Sequence, residues 1–159
     1  MRSVALVLCT LSTLLVLTFA TAAPAAKAAG PRLDRGERAV VRAINRARAA
    51  HGLRAMRAHR RLARAADVHT RSMLRSDFFS HGAFSQRVRH YVRFRRIGET
   101  IAMRSRCSAH GFVRMWLNSP PHRAVLLSRS FRRVGVGRRV GRLGSRRACL
   151  VTADFASRR

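Results

Sequence analysis

The sequence predicts an α+β fold in which helices cover a small antiparallel sheet. Helical hydrophobic periodicity dominates the earlier part of the chain, whereas two β-branched runs joined by a glycine-rich segment stand near its end. Strand and helix patterns do not alternate, which argues against a parallel sheet built from strand–helix–strand units. The length of 159 residues suits a single domain.

The chain is strongly basic, with 34 Lys and Arg against 6 Asp and Glu and a formal net charge of +28. Lys27 is the one lysine; coding composition can explain the preference for arginine over lysine, but not the scarcity of acids. Because 47% of the residues are hydrophobic, the chain is too apolar for a disordered basic tail, so the charge lies on a folded body. Such a surface attracts polyanions such as nucleic acid, acidic cell-wall polymers or anionic lipid headgroups.

The N-terminus has the pattern of a secretory signal peptide. Arg2 supplies the positive charge, the uncharged run from Val4 to Phe19 the apolar region, and Ala20-Thr21-Ala22 the cleavage site. The uncharged stretch is also long enough for an uncleaved membrane anchor, which stays as an alternative, and the arginines close behind it oppose translocation. We expect a signal peptide over residues 1–22, a linker over 23–33, and a secreted domain over 34–156 with no transmembrane span after cleavage.

The cysteines fit an exported domain. Cys9 lies in the apolar region of the predicted signal peptide and is expected to be removed with it. The remaining pair, Cys107 and Cys149, is an even count, which favours a disulfide; two buried free thiols are the alternative. No CxxC pair occurs, which argues against a cysteine zinc knuckle.

Two amphipathic helices open the domain. Asp34 is an N-cap with Glu37 at the capping-box spacing, and the apolar stripe that follows predicts a helix that ends before Gly52. A second helix is predicted over residues 59–76. His69 lies on its apolar face, where a hydrogen-bonded core histidine is more common than a ligand.

The middle of the chain is less regular. Phe78-Phe79-Ser80-His81-Gly82 predicts a loop that leaves the core, and Ser85 to Tyr91 a short basic helix. Ile97 to Ala102 predicts a short strand, in which Gly98 lets the backbone approach a neighbour closely.

Glu99 in this strand is isolated among arginines, since no other acid stands between Asp77 and Asp154. It is either the centre of a structural ion-pair cluster or a ligand or base. The spacing alone favours the structural interpretation.

The last part combines one helix with a hairpin. A third main helix over Ala109 to Asn118 is stopped by Ser119-Pro120-Pro121, and Ala124 to Leu127 add one apolar turn. Strands are predicted over Phe131 to Val140 and Arg147 to Phe155, joined by a hairpin segment over residues 141–145. Gly135 and Gly137 in the first strand predict a bulge or close packing, and no helix follows them as in a dinucleotide-binding site.

These motifs occur in the order found in a known family: Asn45-x-x-Arg48, Gly52-Leu53, Leu62-x-x-x-Ala66, Phe79-Ser80-His81, Gly98-Glu99-Thr100-Ile101-Ala102, Trp116-x-x-Ser119-Pro120-Pro121-His122-Arg123, Phe131-x-x-Val134-Gly135-Val136-Gly137 and Asp154-Phe155. The set resembles the CAP superfamily of cysteine-rich secretory proteins, antigen 5 and pathogenesis-related 1 proteins, in particular its bacterial SCP-like secreted branch. The resemblance covers about residues 34 to 156.

The resemblance implies an α-β-α sandwich with a central cleft lined by two histidines and one or two glutamates. Carried over motif by motif, the cleft residues are His81, His122 and Glu99, while Ser119 stands where animal members have a second glutamate. The sequence also departs from the family pattern in having Gly-Glu-Thr for Gly-Glu-Asn and Pro-Pro-His for Pro-Gly-His. The missing acid weakens both a tight metal site and any mechanism that needs two carboxylates.

Three functions remain open. His81, His122 and Glu99 are a reasonable ligand set for a divalent metal such as zinc, although the positive surroundings predict weak, pH-sensitive binding. The two histidines also suit a secreted hydrolase, metal-dependent or acid–base, that acts on a polyanion, but no nucleophile stands in a recognisable setting. Binding without chemistry is the leading hypothesis: a secreted, presumed monomeric protein that docks on an acidic polymer or envelope surface, with no specific nucleic acid partner. Sterol or lipid binding, described for some eukaryotic members, has no support in this sequence.

Overall fold

A computed structural model describes residues 33–157. The predicted signal peptide and all but the last residue of the predicted linker lie outside the described residues. Within them, no helix is long and apolar enough to cross a bilayer. In chain order the elements are α1 (Arg35–Ala50), β1 (Arg57–Ala58), α2 (Arg60–Arg75), α3 (Phe84–Tyr91), β2 (Ile97–Arg104), α4 (Ala109–Leu117), α5 (Pro120–Leu126), β3 (Phe131–Leu143) and β4 (Arg146–Ser157).

The four strands form one sheet in the order β1-β3-β4-β2. The predicted antiparallel pairing holds for β3 with β4 and for β4 with β2, which is one of the two edge strands. Strand β1 was not predicted and pairs in parallel with β3, so the sheet is mixed. It has only two residues, both exposed, and therefore leaves no alternating pattern in the sequence.

The β3–β4 hairpin is tighter than predicted. Its strands continue into the glycine-rich segment, where Gly141 pairs with Ala148 and Leu143 with Arg146. The turn itself is reduced to Gly144 and Ser145, and Gly144 has a φ of +56°. A two-residue hairpin turn needs such positive φ values, which glycine adopts at little cost.

Helices cover both faces of the sheet. On one face, α1 and α4 bury Ile44, Phe112 and Trp116 against alternate residues of β4, such as Val151 and Phe155. On the other face, α2 and α3 bury the apolar side chains Leu62, Met73 and Val88 against the intervening residues of the sheet, such as Ile101, Leu150 and Ala156. This arrangement confirms the predicted α-β-α sandwich.

Close packing, one of the two predicted roles of the glycines in β3, brings α2 directly onto the sheet. A Cβ atom on Gly135 would lie 2.0 Å from the backbone nitrogen of Ala63, and one on Gly137 would lie 2.4 Å from the Cα atom of Asp67. Real side chains do not approach backbone so closely. The pattern of two glycines separated by one residue therefore marks the line along which α2 crosses β3.

Helix α1 is tied to later loops by two polar side chains, the partly buried Asn45 and the buried Arg48. Asn45 Nδ2 donates to the carbonyl oxygen of Met56 at 3.0 Å, and Met56 N donates to Asn45 Oδ1 at 2.8 Å. Arg48 is fully buried and donates through Nε and Nη1 to the carbonyl oxygens of Arg54, Leu126 and Ser128. Asn45 and Arg48 thus fix the chain that enters β1 and the chain that leaves α5.

Pro120 and Pro121 follow the end of helix α4 and form the first turn of helix α5. Helix α4 ends at Leu117 as their position predicts, but the apolar turn predicted over residues 124–127 belongs to a helix that already begins at Pro120. Proline is favoured in the first turn of a helix, where its missing N–H is not needed. The earlier start places His122 inside helix α5.

The predicted disulfide is present. Cys107 and Cys149 are bonded, with their Cα atoms 5.4 Å apart. The bond joins the segment after β2 to the middle strand β4, so the edge strand β2 is tied covalently to the sheet.

Candidate functional site

The histidines and the glutamate predicted from the family resemblance meet beside the edge strand β2. His81 Nδ1 lies 2.7 Å from Glu99 Oε1, and His81 Nε2 lies 3.5 Å from His122 Nε2. His81 stands on the loop after α2, whereas His122 comes from α5, whose Leu126 packs in the opposite layer. Residues more than 40 positions apart in sequence are therefore brought together by the sandwich itself.

Glu99 is the buried anchor of this group. Only 1% of its side chain is exposed, and its two carboxylate oxygens face different partners, His81 Nδ1 and the guanidinium of Arg87. Since a carboxylate only accepts hydrogen bonds, the proton of neutral His81 belongs on Nδ1. Nε2 of His81, on a side chain that is 43% exposed, is left with its lone pair.

Two further residues of the site, Arg87 and Asp154, were not predicted. Arg87 Nη2 lies 3.5 Å from Asp154 Oδ1, and Asp154 is completely buried. Burial and the neighbouring Glu99 raise the pKa of Asp154 well above its ordinary value, against the opposing effect of Arg87. Asp154 therefore favours its protonated form, which limits the negative charge that Arg87 must balance.

A signal for Asp154 was present in the strand patterns. Glu99 and Asp154 are directly opposite each other in the antiparallel pair of β2 and β4, so their side chains project from the same face. An acid within an apolar strand needs a buried partner. If the two predicted strands are aligned so that Glu99 faces Asp154, the two carboxylates lie side by side and need a cation close to them. Arg87 of α3 is that cation.

His69 positions the loop that carries His81. Its Nε2 donates to the carbonyl oxygen of Ser80 at 2.9 Å, and its ring packs against Phe78. Burial, and after it the positive charge of Arg87, lower the pKa of His69, so the ring is neutral at pH 7. The buried, hydrogen-bonded histidine predicted at this position is what the structure shows.

Ser119 and His122 are placed by the start of α5. Ser119 is the N-cap residue, but its hydroxyl makes no cap hydrogen bond, and its role in the cleft stays a prediction. His122 is partly buried, and burial together with the charge of His81 lowers its pKa, opposed by Glu99. His122 is therefore a neutral imidazole at pH 7, as a metal ligand or a base must be.

The spacing of the two imidazoles limits what they can do together. Nitrogen atoms 3.5 Å apart can flank a single atom, but they leave no room for a scissile phosphoryl group between an acid and a base. Two nitrogen ligands of one tetrahedral zinc ion are roughly 3.3 Å apart, given bonds of about 2.0–2.1 Å. The histidine pair thus suits a shared metal ion. Hydrolysis of a polyanion stays a prediction that the spacing of the two imidazoles does not support.

The predicted third ligand is arranged differently. Within residues 33–157, no three histidine, cysteine or acidic side chains are grouped so that they could hold a metal ion. Glu99 faces Arg87 and the far nitrogen of His81, which is the position of a carboxylate that orients a histidine ligand from outside the coordination shell. The structure therefore fits a metal held by His81 and His122, with Glu99 supporting His81; such a metal would act as a Lewis acid.

Zinc binding should depend on both histidines. Titration calorimetry at pH 7.5 is expected to give weak binding heat for the wild type and none for His81→Ala or His122→Ala, whereas His110→Ala, on an exposed residue of α4, should match the wild type. Because the pKa of His122 is lowered, protons should compete only below the ordinary histidine value of about 6.5. Equal heats for His81→Ala and the wild type would contradict this prediction.

Comparisons with known proteins agree with the fold and the order of motifs. Residues 41–154 match the family model of the cysteine-rich secretory protein family, CAP. No curated protein is significantly similar in sequence.

Several solved structures are similar. An extracellular SCP-domain protein of Bacillus anthracis matches with a TM-score of 0.64 and 26% identity over 77% of this chain and 40% of that one. An outer surface protein of Borrelia burgdorferi matches with a TM-score of 0.66 and 19% identity over 82% of this chain and 99% of that one. A cysteine-rich secretory protein of Staphylococcus aureus matches with a TM-score of 0.62 and 18% identity over 77% of this chain and 38% of that one.

The chain spans about two fifths of the length of the Bacillus and Staphylococcus proteins. The family model, by contrast, covers most of the present chain and includes all three predicted cleft residues, His81, Glu99 and His122. The resemblance to the bacterial SCP-like branch is thereby confirmed, and the chain belongs to the CAP family of cysteine-rich secretory proteins.

Proposed function

We propose that this chain is a secreted CAP-domain protein that binds an acidic extracellular polymer, such as one of the cell envelope, through its arginine surface and without chemical conversion. The solved structures that it resembles are described as extracellular, outer-surface and secretory proteins, which supports the location. The distribution of the charges supports the binding role.

The few acidic side chains are all engaged in contacts within the protein. Five of the six lie beside the guanidinium of an arginine, and four arginines contact all five: Arg71, Arg87, Arg138 and Arg139. The sixth, Asp77, accepts a hydrogen bond from the backbone of Gly144. Since basic residues outnumber acids 34 to 6, the remaining surface is almost purely positive.

Two neighbouring cavities concentrate this charge, and they are the observation that carries the proposal. The larger, of about 820 Å³, is lined by Arg61, Arg89, Arg93 and Arg95 together with His90, Tyr91, Val92 and Phe94. The smaller, of about 400 Å³, is lined by Arg54, Arg95, Arg96, Arg129 and Arg132 together with Ser130 and Ser157. We call them the large and the small arginine cavity.

The two cavities share Arg95, and among residues 33–157 no carboxylate lines either of them. A concave surface of one charge concentrates the electrostatic potential and raises the local concentration of counter-charged ligands. Because the cavities are contiguous at Arg95, a flexible chain of negative groups can contact both. This geometry suits a linear polyanion better than a small neutral ligand.

Polyphosphate binding should be strong at low salt and fall steeply with ionic strength. Each phosphate contact releases a counterion, so several contacts should reduce the affinity about 100-fold between 50 and 200 mM NaCl. Fluorescence anisotropy with labelled polyphosphate measures this, and neutral dextran should not bind at either concentration.

A pair of double variants tests where the polymer binds. Arg61→Gln with Arg93→Gln removes two exposed arginines of the large cavity, and Arg46→Gln with Arg114→Gln removes two exposed arginines outside both cavities. The first is expected to weaken binding about tenfold and reduce the salt slope by about 2, and the second to change affinity less than twofold. Salt-independent binding, or equal losses in both variants, would refute the proposal.

A further inference from the structure

The arginines of the small arginine cavity come from three parts of the chain that are far apart in sequence. Arg54 stands between α1 and β1, Arg95 and Arg96 stand just before β2, and Arg129 and Arg132 flank the start of β3. Five like charges converge where the fold could have kept them apart. Such a convergence costs electrostatic energy unless a negative group occupies the space between them.

Hydrogen bonds hold the walls of this cavity in place. Arg96 Nη1 donates to Ser130 Oγ at 3.1 Å, and Arg96 N donates to Ser157 Oγ at 3.3 Å. The backbone N–H of Ser157 in turn donates to the carbonyl oxygen of Arg96 at 3.0 Å. The segment before β2, the segment before β3 and the end of β4 therefore form one connected frame, as a preformed site requires.

A buried cation lies behind the frame. Arg48 bonds the carbonyl oxygen of Arg54 from one wall and that of Ser128, next to Arg129, from another. Its Nη2 has no hydrogen-bond partner among the described residues. Burial, and after it the positive charge of Arg132, lower the pKa of Arg48. The guanidinium thus adds uncompensated positive charge to the same region.

The donor set indicates the chemistry of the ligand. Guanidinium groups bind oxyanions in a bidentate manner, and one or two of them are enough for the two oxygens of a carboxylate. Five arginines from three directions, with the hydroxyls of Ser130 and Ser157 nearby, match a group that offers three or four oxygens. In the part of the chain that the structure describes, only arginine and serine line the cavity, and these residues provide no apolar surface for an acyl chain.

We propose that the small arginine cavity is a discrete binding site for a phosphoryl group of the acidic polymer. The inference rests on the proposed function, which it narrows from a basic surface to one stereochemically defined position. The large cavity, contiguous through Arg95, then holds the adjoining part of the polymer.

Pyrophosphate is a probe small enough to report on this cavity alone. Calorimetry is expected to show that Arg54→Gln with Arg129→Gln, two exposed residues of the rim, weakens pyrophosphate binding at least tenfold, because two charge-assisted contacts are lost. The Arg46→Gln with Arg114→Gln control and the large-cavity variant should each change it less than twofold.

Lysine variants distinguish binding at a site of defined geometry from binding through the overall positive potential alone. Arg54→Lys with Arg129→Lys keeps the charge but removes the bidentate geometry, so it should still weaken pyrophosphate binding several-fold. If the lysine variant binds like the wild type, or the glutamine variant like the control, the discrete site is refuted. If the discrete site is refuted but polyphosphate binding still depends on salt, the proposed function stands. If salt-dependent polyphosphate binding is also absent, the discrete site and the proposed function are both refuted.

Vesicles of phosphatidylglycerol distinguish a polymer from a lipid headgroup. Cosedimentation with these vesicles should be weaker than binding to polyphosphate at equal phosphate concentration. If the Arg54→Gln with Arg129→Gln variant loses vesicle binding but retains polyphosphate binding, a phospholipid is the ligand and the assignment to a polymer is overturned.

Discussion

Replacement of Gly135 by alanine should destabilise the protein by about 3 kcal/mol or more, at the upper end of what overpacking costs. The added Cβ would lie 2.0 Å from the nitrogen of Ala63 and 2.1 Å from the carbonyl carbon of Leu62. Both atoms belong to the backbone of α2, so no side-chain rotation relieves the contact and the whole helix must move. Urea denaturation monitored by circular dichroism measures the loss.

A second glycine provides the control for this experiment. Gly144 has a φ of +56° and nothing within 4 Å of where its Cβ would be, so alanine there meets conformational strain alone. That strain is about 1–2 kcal/mol. If Gly135→Ala cost no more than Gly144→Ala, the direct packing of α2 on β3 would be disproved.

Glu99→Gln is expected to be the most damaging substitution in the candidate site. It removes the buried charge that Arg87 pairs with, and it leaves His81 Nδ1 with a neutral amide oxygen as its acceptor in place of a carboxylate. Breaking a buried ion pair on one side typically costs about 3–5 kcal/mol, because the other charge is left uncompensated. Loss of the carboxylate that supports His81 should also weaken zinc binding by about 10–100-fold.

Two controls show whether the loss comes from the buried charge. Removing both charges with Glu99→Gln and Arg87→Gln should cost less than the sum of the single changes, since neither partner is left alone. Asp34→Asn breaks the ion pair with Arg138, but Asp34 is 44% exposed, so the cost should stay below about 1 kcal/mol. Additive losses in the double variant would show that the pair does not act as a unit.

Most elements of the fold were predictable because they carry a local signal, whereas the two exposed residues of β1 carry none, and this strand was not predicted. The capping box at Asp34 and Glu37 is formed as the spacing predicts, with Glu37 N donating to Asp34 Oδ1 at 2.7 Å. Gly98 approaches its neighbours as closely as expected, since a Cβ there would come within 2.9 Å of the Phe131 ring. The predicted start of α5 was wrong, because the prolines that stop α4 also begin the next helix.

The site was predictable only in part, because most of its contacts are not local. His81, Glu99 and His122 could be named through the family resemblance, but nothing in their spacing requires them to meet. Arg87 was not predicted because an arginine among 33 others of its charge carries no distinctive pattern, and Asp154 was identified only as part of a family motif, with no role in the site. They become visible only once the register of β2 against β4 is known.

The distribution of charge has one consequence for how salt acts on the molecule. Since the acids are engaged in pairs within the fold, the dominant force between the outer arginines is mutual repulsion, which opposes the compact state. Added salt screens this repulsion and so favours the folded chain, while the same ions compete with any bound polyanion. Folding and binding therefore respond to ionic strength in opposite directions, and a bound polymer takes over the role of the screening ions.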